Sequence, residues 1–457
     1  MNVPLDDALR ATGATLSDGE TAPKTLRVVT DTRTLEPGDT FLALRGERHD
    51  GHDFAAEAVR RGAAMLVLER PAPQALGTPA MLVRDGLRAY MALAGCAREL
   101  FRGRVLAITG STGKTTTKAF VAHLLAARYG DRVLAAPGNE NNEIGVSKLL
   151  LRASNDEHDV LVVEMGARNY GDVAELVEIA RPHVGILTNV GDAHLEIMGS
   201  RERLAETKWA LFGGGARAVL NACDEVSRER AATLSQSPHW FAGERPQDEA
   251  RFETLTAFDT AGRIVRRARG RSVEYKVDVR VPGVHNRANL AAAVAGAVEL
   301  RVPLEDLVPR LADLQPPPGR YDSIPIGGGI RLIYDAYNAN ASSMIAALDA
   351  FGAETATRRI AILASMAELG DESSVLHERV GAHAAGRVDV LVVQGEFAAQ
   401  LARGAERAGL GPEQIVTVGA NAQAARWLRE HARRGDVVLL KGSRKYKLEE
   451  IVEELQA

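Results

Sequence analysis

The chain has 457 residues, of which 46% are hydrophobic and 25% charged, with a formal net charge of −4. That length allows roughly three domains with sizeable cores, and the slightly acidic balance excludes the basic footprint of a nucleic-acid-binding protein. Two cysteines, Cys96 and Cys223, exclude a disulfide framework or a thiolate metal site. The start, MNVPLDDALRATG, lacks the basic-then-apolar order of a signal peptide, and no apolar run reaches membrane-spanning length. The expectation is a cytoplasmic, multidomain α/β protein.

The first hundred residues alternate short apolar strands (Leu26–Thr30, Thr40–Leu44, Ala64–Leu68, Ala80–Val83) with helices (Phe54–Arg61, Leu87–Leu100). The polar segments TDTR (30–33) and RGERHDGHDF (45–54) lie between strands, where solvated turns are the usual occupants. After the basic stretch Arg98–Arg104 comes the apolar strand Val105–Thr109, then GSTGKTT, then a helical pattern from Thr117. Strand, glycine turn and helix N-terminus make a phosphate site: glycines let backbone N–H groups turn inward, and the helix dipole favours anions. Gly110, Ser111, Thr112 and Gly113 would cradle the phosphates. Lys114 would reach the β- and γ-phosphates, and a hydroxyl of Thr115 or Thr116 would bind Mg²⁺. The loop is a shortened form, with Ile108 where the common spacing has a glycine.

Two further strands end on polar residues, Asp159–Val163 on Glu164 and Val184–Thr188 on Asn189, followed by GDAHLE. Ligands gather at the carboxyl ends of parallel strands, so Glu164 and His194 are expected beside the phosphate loop as Mg²⁺ ligands. In RERLAETKWALF, Lys208 shares the apolar face with Leu204 and Leu211. It either snorkels to the helix edge or sits shielded, where its pKa can fall. Residues 217–280 read as a strand-rich excursion. GVHNRANLAAAVAGAVEL then opens a helix with His285, Asn286 and Asn289, which either cap it or form a polar wall for a base or ribose. QPPPGR (315–320) reads as a linker. Beyond it, Arg359–Ala364, Val388–Val393, Gln414–Val418 and Asp436–Leu440 read as parallel strands of a doubly wound unit.

GSTGKTT, NNEIG (141–145), EMGA (164–167), TNVGDAHLE (188–196), the lysine helix, GVHNRANLAAA and DAYNAN (335–340) occur in that order. Together they resemble the Mur ligase family of ATP-dependent amide-forming enzymes. DAYNAN with MAELG (366–370) and KGSR (441–444) is similar to the branch that adds D-alanyl-D-alanine to UDP-N-acetylmuramoyl-tripeptide. The resemblance implies three units: 1–102, a small α/β domain for the UDP end; 103–319, a P-loop domain with a mostly parallel sheet; and 320–457, a Rossmann-like domain that brings the dipeptide and closes over ATP. It implies that Lys114 binds the transferred phosphate, and that Thr115, Glu164 and His194 hold metal, with two Mg²⁺ ions expected. Lys208 falls on the lysine that CO₂ converts to a carbamate in this family, and Asn142 on an asparagine near the metal and phosphates. His285, Asn286 and Asn289 would surround adenine, Arg320 would reach the γ-phosphate and Asp335 the ribose. Asp31, Thr32 and Arg33 would receive the UDP end, and Asn338, Lys441, Ser443 and Arg444 the dipeptide. The partners implied are small-molecule substrates acting on a monomer.

Three positions depart from the family pattern. Ala341 and Ser147 stand where prolines are usual, and Ala364-Ser365 where Gly-Asp is usual. The last change bears on the acceptor contacts. A ligase for a diamino acid is the nearest rival, and the DNPR motif of that branch is absent. A P-loop small-molecule kinase and a non-catalytic nucleotide-binding protein are rivals from other classes.

Overall fold

The computed structural model describes all residues except 18–20, 72–75, 192–194, 260, 278 and 457, and the side chains of 195 and 196. The chain is mixed α/β, built as three domains; among the described residues the three main sheets have five, nine and six strands. The first sheet runs in the order Thr15–Leu16, Ala80–Leu82, Met65–Leu68, Thr40–Leu42, Val28–Val29. Its inner strands are nearly continuous apolar runs, as strands covered on both faces must be. The predicted strand 26–30 divides in two: Thr25–Leu26 pairs antiparallel with Val3–Pro4, while Val28–Val29 pairs parallel with Thr40–Phe41.

In the nine-stranded sheet the strand Arg104–Thr109 lies between Val160–Glu164 and Val184–Leu187, all parallel. Glu164 is level with Ile108, and Leu187 with Thr109. The three strands therefore deliver Gly110, Glu164 and Thr188 to one rim, as the sequence anticipates. The helix after the phosphate loop begins at Lys114, not Thr117. Three strands of the 217–280 excursion (Arg217–Asn221, His239–Ala242, Thr254–Phe258) extend this parallel sheet, and Arg263–Ala268 with Arg271–Lys276 close its edge antiparallel.

The third sheet places Asp436–Lys441 between Arg331–Tyr334 and Arg358–Ala364, so Lys441, Asp335 and Ser365 meet at its rim. Asp322–Pro325 and Arg331–Tyr334 form an antiparallel hairpin that the sequence pattern does not announce. Its turn runs through Gly327, Gly328 and Gly329, all at positive φ. The second and third sheets meet rim to rim. Here a Cβ on Gly191 would come within 2.8 Å of Ser342 Oγ, and one on Gly283 within 2.7 Å of the Ala350 Cβ. Among the described residues no helix is long and apolar enough to cross a membrane.

Candidate active site between two sheet rims

A cavity of about 1160 Å³ lies between these rims. The phosphate loop, residues 139–143, Glu164, residues 188–191, the start of the helix Gly283–Glu299, Arg320 and the segments 335–340 and 441–445 line it. The loop is held by close packing. A Cβ on Gly110 would fall 1.8 Å from Thr188 Oγ1, and one on Gly113 2.3 Å from Asn289 Oδ1, with Gly113 at φ +80. The Thr112 N–H donates to Asn189 Oδ1 (3.2 Å), and Ser111 Oγ accepts the Gly191 N–H (2.9 Å). Lys114 folds back, its Nζ donating to the Gly110 carbonyl at 2.7 Å. Burial lowers its pKa, while the Glu164 charge opposes that shift.

Glu164 is buried at the end of its strand. Its Oε1 accepts from the Thr115 hydroxyl (3.1 Å) and from Asn141 Nδ2 (2.8 Å). Its Oε2 accepts no hydrogen bond, although the Lys118 ammonium stands 3.2 Å away. Thr116 is buried on the same turn. Asn142 lines the cavity, but its Oδ1 accepts the Gly145 N–H and so caps the helix Glu143–Arg152. The amide that reaches the carboxylate is its neighbour, Asn141. His194 lies outside the described residues.

Lys208 does not snorkel. It is 1% exposed between Leu204 and Leu211, both fully buried. Its amine has no hydrogen bond or ion pair among the described residues. It is not part of the cavity lining, yet it is close enough to Lys114 to feel that charge. Burial first, then Lys114, pushes its pKa well below the usual lysine range.

His285, Asn286 and Asn289 stand at the start of one helix, but none caps it, because its N-cap is Pro282. Asn286 Nδ2 donates back to the Pro282 carbonyl (3.0 Å), and Asn289 Oδ1 accepts from Thr117 Oγ1 (3.3 Å). Desolvation pushes the His285 pKa down to about 4, against the pull of Asp335, so the ring is a neutral wall at physiological pH. Arg320 crosses from the third domain. Its Nη2 donates to Thr115 Oγ1 (3.3 Å), and its guanidinium lies over the Tyr337 ring at 4.2 Å. Asp335 pairs with the buried Lys441 (2.8 Å), whose Nζ also donates to the Asp335 carbonyl.

Asn338 is exposed at the cavity, and Arg444 pairs with Glu449 (2.8 Å). Ser443 is buried; its Oγ accepts the Ala367 N–H (2.9 Å). Ala364 and Ser365 do not face the cavity. The Ser365 hydroxyl accepts the Phe397 N–H at 2.9 Å, and the Ala364 Cβ fills the place where a Cβ on Gly442 would come within 2.5 Å. This departure from the family pattern is taken up in packing. Asp31, Thr32 and Arg33 lie outside this cavity: Asp31 closes its own turn by accepting the Arg33 N–H and pairing with its guanidinium (2.7 Å). Lys148 links that strip to the rim, since its charge lowers the Asp31 pKa further and its Nζ pairs with the cavity-lining Glu140 (2.7 Å). Asn221 and Asp224 brace the far wall. The first donates to the Thr188 carbonyl (2.9 Å) and the second accepts the Val190 N–H (3.0 Å).

A glycine phosphate loop, an acid beside its threonine, and an arginine reaching in from another domain define a nucleotide-dependent phosphate-loop enzyme. Three family models match the chain: Mur ligase family, catalytic domain, over residues 27–85; Mur ligase middle domain, over 108–297; and Mur ligase, glutamate ligase domain, over 319–444. The chain is 36% identical over 377 residues to a UDP-N-acetylmuramoyl-tripeptide–D-alanyl-D-alanine ligase of Synechocystis, covering 81% of this chain and 78% of the relative. It superposes on MurF from Acinetobacter baumannii with a TM-score of 0.87 at 28% identity, covering 100% of this chain and 99% of the other. It superposes on a MurF ligase from Thermotoga maritima in complex with ADP with a TM-score of 0.80 at 28% identity, covering 94% and 97%. The chain belongs to the Mur ligase family and is a ligase.

Proposed function

We propose that the protein joins D-alanyl-D-alanine to UDP-N-acetylmuramoyl-tripeptide at the expense of ATP, in peptidoglycan precursor synthesis. The convergence of the phosphate loop, the Glu164–Thr115 pair and Arg320 on one cavity is the observation that carries this reading. In it, ATP lies along residues 110–116, with His285, Asn286 and Asn289 against the base and Asp335 at the ribose. The tripeptide carboxylate attacks the γ-phosphorus and ADP leaves. The dipeptide amine then attacks the acyl phosphate and phosphate departs, leaving an amide. Lys114 and Arg320 neutralise the charge that builds on the transferred phosphoryl oxygens. Closure of the third domain keeps water from the acyl phosphate.

A buried carboxylate whose Oε1 stands 3.1 Å from the Thr115 hydroxyl is, with that hydroxyl, a hard-oxygen set that fits Mg²⁺. Thr115 and Glu164 would hold it, with His194, and it would supply Lewis-acid stabilisation of phosphoryl oxygens. The buried amine of Lys208 fits carbamate formation, which needs the neutral base. The units 1–102, 103–319 and 320–457 take the UDP end, ATP and the dipeptide respectively. Asp31, Thr32 and Arg33 serve the first, and Asn338, Lys441, Ser443 and Arg444 the last. The enzyme acts as a monomer in the cytoplasm, where ATP and UDP-linked precursors are found. The test is phosphate release from MgATP with UDP-N-acetylmuramoyl-tripeptide, with and without D-alanyl-D-alanine. Release that depends on the dipeptide, with a pentapeptide product by mass, is expected. Release indifferent to the dipeptide, or none with nucleotide bound, would overturn the assignment.

A further inference from the structure

Lys118 has no part in the reaction as described, yet its burial is unusual. It lies one turn beyond Lys114 on the phosphate-loop helix, with its side chain 5% exposed. Its ammonium has two neighbours: the Gly138 carbonyl at 2.5 Å and Glu164 Oε2 at 3.2 Å. The hydrogen bond goes to the carbonyl, and what reaches Oε2 is charge. The two oxygens of Glu164 are therefore unlike. Oε1 faces the Thr115 hydroxyl and Asn141; Oε2 faces a fixed cation that also ties down the segment carrying Asn141.

This asymmetry matters to a divalent ion. Magnesium demands a tight octahedral shell, whereas calcium takes a larger and looser one and readily accepts both oxygens of one carboxylate. A cation within contact distance of Oε2 repels any second cation that would take both oxygens, and in a buried site that repulsion is weakly screened. We infer that Lys118 is a positioning residue that sets the cation preference of the site: it reserves Oε1, beside Thr115, as the usable oxygen of Glu164, and so favours a small ion over a large one. The inference rests on Glu164 being a metal ligand, as proposed above.

Metal binding is read without turnover. Full-length protein in excess over ADP is loaded with Mn²⁺, bound Mn²⁺ is followed by electron paramagnetic resonance, and Mg²⁺ or Ca²⁺ is titrated in as competitor. Lys118→Met frees Oε2. Lys118→Gln keeps a donor for the Gly138 carbonyl but removes the charge. In both, the affinity for Ca²⁺ relative to Mg²⁺ is expected to rise about tenfold, in line with the effect of changing a partner of a metal ligand. A ratio within about twofold of the unmodified protein, in variants that melt cooperatively, overturns the inference. If Lys118→Met does not fold, Lys118→Gln decides. Glu164→Gln separates the two claims. Loss of Mn²⁺ binding there, with the ratio unmoved by the Lys118 variants, sinks this inference alone; unchanged Mn²⁺ binding sinks the ligand assignment beneath it.

Discussion

Replacing Lys208 by methionine removes an amine that the fold buries without an anion among the described residues. Desolvation and the Lys114 charge hold its pKa well below the usual range, whereas in the unfolded chain it titrates near 10.4. Between the folded and unfolded values the unfolded chain binds one proton more, so this residue makes stability rise with pH. Each pH unit between the folded and the unfolded value costs the protein about 1.4 kcal/mol of stability at neutral pH. Methionine fills a similar volume without that cost. In buffers stripped of CO₂, Lys208→Met is therefore expected to be inactive yet more stable near neutrality. The gap should narrow by about 1.4 kcal/mol per unit as pH rises towards 10. Urea unfolding followed by circular dichroism across that range measures it. Lys114 is also shifted down, but it is present in both proteins and cancels in the difference. Added bicarbonate should stabilise the unmodified protein and not the variant, because a carbamate formed only in the folded state draws the equilibrium towards it. Parallel stability curves would refute the buried neutral amine; an equal response to bicarbonate would refute the carbamate.

Gly113→Ala places a Cβ 2.3 Å from Asn289 Oδ1 at a φ of +80. We expect a stability loss of about 1–3 kcal/mol in thermal melts, and markedly weaker nucleotide binding by calorimetry. His377 accepts the Met366 N–H at Nε2 (2.8 Å) and bonds the Ser373 carbonyl through Nδ1 (2.6 Å), so it is neutral with the proton on Nδ1, and burial lowers its pKa. The unfolded chain takes up its proton first as pH falls through about 6.5, so this bond's contribution fades on acidification towards the lower folded value. His377→Ala should cost about 1–3 kcal/mol and raise KM for the dipeptide more than for ATP, since Ala367, Glu368 and Leu369 follow Met366 into the cavity wall. Equal changes in both KM values would argue against it.

The phosphate loop was legible because its chemistry is local: strand, glycines, lysine and helix are contiguous. Glu164 was legible because it terminates an apolar strand, and the pairing rule for parallel sheets carries such ends to one rim. Lys208 was half legible; its helical face was readable, but whether the chain beyond that face would seal it was not. What escaped depends on contacts remote in sequence. Asn141 and Asn142 look interchangeable, and only the geometry of the helix start decides that one caps while the other reaches Glu164. Lys118 reads as an ordinary charged position on a helix until Gly138 and Glu164 are brought against it. The hairpin Asp322–Pro325 to Arg331–Tyr334 hid because its second strand pairs equally with Asp436–Lys441, about a hundred residues later. For Asn286 and Asn289 the sequence left capping and a polar wall both open; Pro282, with its fixed φ, holds the cap position.

The contact between Ala364 and Gly442 makes two positions heritable only as a pair. A methyl at 442 would sit 2.5 Å from the one already present at 364, so the space holds one methyl and not two. Glycine at 364 would remove the severe clash and leave only the Leu448 Cδ1 and the residue-364 Cα, each at 3.2 Å, to give by a few tenths of an ångström, whereas this chain must first shrink 364. Substitution order is thus constrained by a void the size of a single carbon. The same holds for laboratory recombination: the segment after Lys441 transplanted from a relative into this scaffold will fit only if the ends of both neighbouring strands, Arg358–Ala364 and Asp436–Lys441, travel together.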